Sequence, residues 1–167
     1  MKLTILTTGG TIDKTYDEFQ GSLQNEYTVI DVILDSLRLP DLEIHHVEVM
    51  HKDSLEMTEE DRETIARAVC DASSTSDGIV ILHGTDTLSE TGELLCEKCA
   101  DLEIPVILTG AMRPYEFRDT DALQNVTEAL FASRLLDAGV YVAMHNRVFK
   151  FPGVVKDREA LAFVRQG

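Results

Sequence analysis

The chain has 167 residues, 44% of them hydrophobic and 27% charged, with a net charge of −15. That length suffices for one domain with a sizeable core, and so negative a field repels nucleic acid and anionic membrane as partners. An odd cysteine count (three) argues against a disulfide framework. No apolar run reaches the length of a membrane span or a secretory leader, so a reduced, cytoplasmic protein is expected.

Lys2–Thr7 reads as a first strand, and it runs into the turn Thr7-Thr8-Gly9-Gly10-Thr11. The next stretch, Lys14 to Glu26, is polar and glycine-containing, with Tyr16 inside it and Tyr27 just beyond, and is expected to be mobile. Thr28 is placed to cap a helix carrying Val29, Ile30, Ile33, Leu34 and Leu37, stopped by Pro40. Ile44–Val49 is a second strand whose mixed composition suits a position near a sheet edge. At Thr58-Glu59-Glu60-Asp61 a helix begins with its acids in the first turn, where the helix dipole favours them; Ile65, Ala68, Val69 and Ala72 form its buried stripe.

Gly78–Leu82 and Val106–Thr109 are continuously apolar, as expected of parallel strands covered on both faces. Between them, Leu94, Leu95, Cys96, Cys99 and Leu102 follow helical spacing. Cys96 and Cys99 form a C-x-x-C that lies late in this helix and lacks a second pair, so it reads as core or surface thiols rather than a redox or zinc motif. Asp121 opens a further helix with Leu123, Val126, Leu130 and Leu136 facing inward and Gly139 as its stop. Val140–Met144 is the fifth strand, and Asn146 to Gly153 is expected to be a hairpin or loop. The fold class is therefore α/β: a three-layer arrangement, a largely parallel sheet flanked by helices, in a single domain over residues 1–167.

Three of the strands run straight into glycine-bearing polar turns: Thr7 to Thr11, His83-Gly84-Thr85-Asp86-Thr87, and Thr109-Gly110-Ala111-Met112-Arg113-Pro114. In open α/β sheets, ligands bind beyond the carboxyl ends of the strands, so these turns converge on one edge. Phosphate is a poor fit. Neither phosphate-binding glycine pattern is present, no cation lies in the first two turns, and Asp13 and Asp86 oppose an anion.

A hydrolytic site suits the residues better. A threonine hydroxyl is a weak nucleophile until a base takes its proton, and a neutral lysine oriented by a carboxylate serves that purpose. Glycines beside the threonines admit a substrate carbonyl to backbone N–H groups that stabilise an oxyanion. A metal site is not expected. His45 and His46 face opposite sides of a strand, His51 and His83 lack spaced partners, and His83 reads as a structural hydrogen-bonding residue at its turn.

Thr8-Gly9-Gly10-Thr11-Ile12, Asp53-Ser54-Leu55-Glu56-Met57-Thr58, His83-Gly84-Thr85-Asp86-Thr87 and Gly110-Ala111-Met112-Arg113-Pro114 occur in order, and with them the sequence resembles the bacterial-type L-asparaginases. The resemblance runs from about Leu3 to about Lys156 and is to the N-terminal domain of that family, in the manner of its short, single-domain members. It implies conversion of L-asparagine to L-aspartate and ammonia through a threonine acyl-enzyme, without metal or cofactor, in a homodimer or homotetramer.

By the same resemblance Thr11 is the attacking threonine. Thr85, Asp86 and Lys156 form the second catalytic set, and either Tyr16 or Tyr27 activates Thr11. Substrate contacts fall to Gly10, Asp53, Ser54, Gly84 and Ala111, with Ser54 on the α-carboxylate and Asp86 on the α-ammonium. Longer members lend an acidic residue from a second domain, a role for which Glu26 is the candidate here. Two other readings stay open: an amidase acting mainly on glutamine or another amide, and an amino-acid-binding module without turnover.

Overall fold

The computed structural model describes residues 1–166. In chain order its elements are β1 (Lys2–Gly9), the short strands β2 (Thr15–Asp17) and β3 (Ser22–Gln24), helix α1 (Ile30–Asp35), β4 (Glu43–Lys52), α2 (Glu59–Ser73), β5 (Gly78–Leu82), α3 (Leu88–Lys98), β6 (Pro105–Thr109), α4 (Ala122–Leu135), β7 (Gly139–Met144), β8 (Arg147–Lys150), β9 (Val154–Asp157) and β10 (Ala162–Arg165). Six of the strands form one sheet in the order β4-β1-β5-β6-β7-β8. All neighbours in it are parallel except β7 and β8. These two antiparallel strands meet at His145 and Asn146, whose positive φ values of 53° and 59° make the tight turn that a two-residue hairpin needs.

The five sequence-expected strands all form, and the mixed one, β4, lies at the sheet edge. Alternation decides which layer each side chain joins. Ile79 and Ile81 of β5 pack with Ile65 and Val69 of α2 and Leu88 and Leu95 of α3, whereas Val80 and Leu82 pack with Ile30 and Ile33 of α1 and Val126 and Ala129 of α4. Each of these side chains is buried, and full burial of a large one contributes about 1.5–3 kcal/mol. The result is the expected three-layer domain, with the sheet between two pairs of helices.

Helix starts follow local chemistry. Thr58 and Asp61 form a reciprocal capping box on α2, each side chain accepting the other's backbone N–H. At α1 the cap position is Val29 rather than the expected Thr28. The Thr28 hydroxyl still accepts the Ile30 N–H at 3.3 Å while donating to Asp13 at 3.0 Å. Leu123, expected to face inward, lies on the outer face of α4 with 40% exposure; Val126 and Leu130 are buried as expected. Lys14 to Glu26, expected to be mobile, contains the β2–β3 hairpin, with Phe19 wholly exposed at its tip.

Both ends of that hairpin segment are tied together by Asp13. Its Oδ1 accepts the Val29 N–H at 2.9 Å and the Thr28 hydroxyl at 3.0 Å, while Oδ2 is buried without a partner. Burial pushes the Asp13 carboxyl above its usual 3.8, against the downward pull of the Val29 and Thr28 bonds and of His51 and His46. The folded chain thus holds this proton more tightly than the unfolded chain. Its contribution is fully present below the unfolded value and is lost as pH rises through the raised one. Asp13→Asn keeps the acceptor oxygen and removes the charge, so its Tm relative to the parent is expected to climb as pH rises from below 3.8 through the raised Asp13 value. Asp13→Ala strands the buried Val29 N–H and loses about 1–3 kcal/mol. Thermal melts across that range check both; parallel curves for Asp13→Asn and the parent count against this account.

Candidate active site

The parallel strands follow the order β4-β1-β5-β6-β7, so connections leave β1 in one direction and β5 in the other. Such a reversal opens a crevice at the carboxyl ends of the two strands where ligands of doubly wound folds bind. The loops that flank it carry Thr11 and Thr85.

Backbone approach draws the loops together. Gly10, at φ 88°, lies so close to Gly84 that a Cβ on it would stand 2.4 Å from the Gly84 Cα. A Cβ on Gly84 would in turn meet the Ser54 Oγ at 2.5 Å, and one on Gly110 would meet the His83 carbonyl oxygen at 2.2 Å. No side chain fits at these contacts without the backbone moving. Thr11, partly buried, opens a single 3-10 turn (Thr11–Asp13) directly after this contact.

The Thr85 loop holds the main polar cluster. Lys156 Nζ donates to Thr85 Oγ1 at 2.8 Å and to Asp86 Oδ1 at 3.0 Å. Thr85 is buried, and the Lys156 side chain is only 11% exposed, so the contact is shielded from bulk water. Lys156 is 70 residues from Asp86 in sequence and is delivered by the β9–β10 hairpin. The segment leading to it docks on α3. Phe151 fills the space above Gly92, where a Cβ would lie 2.3 Å from its ring, and the Gly153 N–H donates to Glu93 at 2.6 Å. Arg158, in the turn directly after β9, stands 3.6 Å from Asp86 at the rim. The sequence reading missed it, since a turn residue brought to the site only by the fold carries no periodic signal.

His83 anchors the loop from beneath. Its Nδ1–H donates to the Gly84 carbonyl at 2.8 Å, which leaves Nε2 to accept the Thr91 hydroxyl at 2.8 Å. Complete burial depresses its pKa to about 4, so the ring is neutral and structural at ordinary pH. The third turn is braced by Asp121. Its carboxylate accepts the N–H groups of Met112 and Arg113, the Asn125 amide and the His145 ring, while Asn125 also donates to the Gly110 carbonyl. Partial burial raises the Asp121 pKa, but these bonds, led by Met112 N–H, outweigh it and hold the group below the usual carboxylate range. Ala111 is buried at the end of β6, and the neighbouring Met112 Sδ lies 3.6 Å from Thr85 Oγ1.

The remaining expected residues divide into two groups. Ser54 lies against Gly84 in the loop after β4, with its Oγ buried and unpartnered and its carbonyl accepting the Thr87 hydroxyl at 2.8 Å. Asp53 is adjacent, but its carboxylate is engaged by Lys14 at 2.6 Å and by the Leu55 N–H at 3.0 Å. By contrast, the tyrosines are largely open to solvent. Tyr16 and Tyr27 are 58% and 54% exposed on and beside the hairpin, and the Tyr16 hydroxyl leans toward Gly21 at its tip. Glu26 is exposed there as well. Among the described residues, no group of three or more His, Cys, Asp or Glu side chains is disposed to hold a metal ion, and no helix is long and apolar enough to cross a membrane.

Fold and site together define an α/β domain with threonine-bearing loops gathered at the switch point of a parallel sheet. The chain belongs to the asparaginase family, residues 2–160 matching the family described as Asparaginase, N-terminal. It is 38% identical over 152 residues to an L-asparaginase of Thermococcus kodakarensis, a match covering 89% of this chain and 45% of that protein. It is 32% identical over 149 residues to one of the subunits of a glutamyl-tRNA(Gln) amidotransferase from Methanobrevibacter smithii, covering 86% of this chain and 33% of that one. The solved structure of the thermostable L-asparaginase from Thermococcus kodakarensis superposes with a TM-score of 0.85 at 34% identity, covering 99% of this chain and 51% of that chain. The chain thus spans about half or less of the length of these relatives.

Proposed function

We propose that this domain is an amidohydrolase that converts L-asparagine and water to L-aspartate and ammonia through a threonine ester. The observation that carries the reading is Lys156 Nζ held between Thr85 Oγ1 and Asp86 Oδ1, on a loop in backbone contact with the loop bearing Thr11. In the first half-reaction the Thr11 hydroxyl attacks the side-chain amide carbon and ammonia leaves. In the second, water cleaves the ester. Lys156 in its neutral form accepts a proton from Thr85, and its 2.8 Å distance serves transfer in either direction. Backbone N–H groups of the glycine turns stabilise the oxyanion of each tetrahedral intermediate.

The unpartnered Ser54 hydroxyl supports a role in binding the substrate α-carboxylate, and Asp86 supplies the counter-charge for the α-ammonium. Tyr16 or Tyr27 activates Thr11 only after the exposed hairpin folds over the crevice, a closure that also excludes water. No cofactor takes part. Three free thiols fit a reducing, cytoplasmic setting, and the family resemblance implies a homodimer or homotetramer as the working particle.

One relative favours a second reading. The similarity to part of a glutamyl-tRNA(Gln) amidotransferase makes glutamine an alternative amide, a difference of one methylene in the substrate. Ammonia release measured with asparagine and glutamine side by side decides between them. Faster turnover of asparagine is expected; faster turnover of glutamine selects the alternative. Aspartate binding without ammonia release from either amide assigns the site to an amino-acid-binding module.

A further inference from the structure

The three cysteines take no part in the site described above, yet two of them meet. Cys70, near the end of α2, places its Sγ 3.3 Å from the Sγ of Cys99, the residue that caps the end of α3. The two are 29 residues apart in sequence, and neither is bonded to another cysteine. We propose that Cys70 and Cys99 form a thiol–disulfide exchange site, which closes to an intrachain disulfide stapling α2 to α3 when the protein meets a low-molecular-weight disulfide.

Exposure and placement favour an ordered exchange. Cys70 is exposed, and it borders two surface depressions of about 430 and 390 Å³ that give a small disulfide room to approach it. Cys99 is buried and also bonds the Ala66 carbonyl through its thiol at 3.8 Å. Burial, together with the neighbouring Cys70 and Cys96, pushes its thiol up to about 12, and the exposed Cys70 is the thiol that an incoming disulfide reaches first.

The step balances as an exchange. The Cys70 thiol gives its proton to solvent and attacks one sulfur of the incoming disulfide, forming a mixed disulfide and releasing one thiol. Cys99 then gives up its proton and attacks the Cys70 sulfur, releasing the second thiol. Two protein thiols are oxidised and one external disulfide is reduced to two thiols. Closure needs the sulfurs to shorten their separation to about 2.05 Å, a movement of the size that side-chain rotation supplies.

The site lies at the far ends of the two helices that begin beside the candidate active site: α2 follows the Ser54 loop and α3 follows Thr85-Asp86-Thr87. Near those beginnings, the buried Arg62 of α2 already pairs with Glu90 of α3 at 2.7 Å. At the end of α3 the exposed Lys98 also pairs with Glu63 of α2 at 3.2 Å, so the disulfide adds a covalent tie to two ionic ones.

Incubation of the full chain with oxidised glutathione, followed by alkylation, intact mass and peptide mapping, tests the proposal. The protein is expected to become lighter by two hydrogen atoms, with one cross-linked peptide pair joining Cys70 to Cys99. Cys96→Ser is expected to do the same, while Cys99→Ser is expected to stop at a glutathione adduct on Cys70. The closed form is expected to melt roughly 5–10 °C higher than the reduced form. A lasting glutathione adduct on the parent chain, a Cys96–Cys99 cross-link or an intermolecular dimer in place of the Cys70–Cys99 pair overturns it. If Cys99→Ser fails to fold, the mapped cross-link in the parent and in Cys96→Ser still decides.

Discussion

Thr11→Ala and Thr85→Ala are each expected to reduce ammonia release from asparagine by at least about 10³-fold, and the double variant by little more than either single one. The two hydroxyls sit on loops whose glycines are in van der Waals contact, so neither works without the other's loop in place. Groups that act as one unit are strongly non-additive, because removing any member abolishes the shared function. Structure should survive both changes. Thr11 is partly buried and opens a turn held by backbone bonds, and Thr85→Ala frees only the bonds to Lys156 and the weak one to Met112. Steady-state ammonia release, with Tm measured on the same preparations, separates a chemical loss from an unfolded sample. A Thr85→Ala variant within tenfold of the parent rate counts against the proposed chemistry. So does additivity of the two losses, which would mean two independent contributions rather than one nucleophilic unit.

The cores of the parallel strands were legible because burial on both faces leaves a continuous apolar signature. Gly78–Leu82 occupies the residues expected of it, and the mixed His45-His46 strand lies at the edge. The start of α2 was legible for a similar reason, since its capping box depends on residues three apart. Features set by distant contacts were not. The β2 and β3 strands are three residues each, too short for a period to register, and the segment that contains them is closed by Asp13 reaching 15 residues to Thr28. The Cys70–Cys99 meeting is likewise a product of how α2 and α3 pack, which the C-x-x-C spacing does not report.

Apolar content also misleads where a helix has two apolar faces. Leu123, Phe131 and Leu135 follow helical spacing as well as any buried stripe does, yet all three are on the outside of α4. Their neighbours Val126, Ala129 and Leu130 face the sheet. The convergence of the glycine turns was legible from topology, because strand ends of a parallel sheet must share an edge. The tyrosines were not separable in the sequence, and in the structure both are more than half exposed. Near Ser54 the helix caps are supplied by Asp53 and Thr58. That leaves the Ser54 hydroxyl without local work, a condition that a buried polar atom rarely tolerates unless a ligand completes it.

Lys156→Met is expected to lower kcat by about 10²–10⁴-fold while leaving KM within a few-fold, and Lys156→Arg to be nearly as impaired. Methionine keeps most of the length and the apolar stem of the side chain, so the volume at this position of β9 is retained and the amine alone is lost. Arginine restores positive charge beside Asp86, but a guanidinium stays protonated in proteins and cannot accept the Thr85 proton. The pair of variants therefore separates two roles for the residue. If Lys156 serves only as the counter-ion of Asp86, arginine rescues most of the activity; if its nitrogen must take a proton, arginine does not. Asp86→Asn supplies the contrasting case. The carboxylate is the acceptor that fixes the amine 3.0 Å away and also the expected partner of a substrate ammonium, so its loss is expected to raise KM as well as to lower kcat. Arg158 at the rim, 3.6 Å from the same oxygen, is too exposed to replace Lys156 at Thr85, and its removal is expected to shift KM alone. Full rescue by Lys156→Arg would leave the Thr85 hydroxyl without its proposed base, and the threonine-ester scheme would then need a different proton acceptor at this crevice.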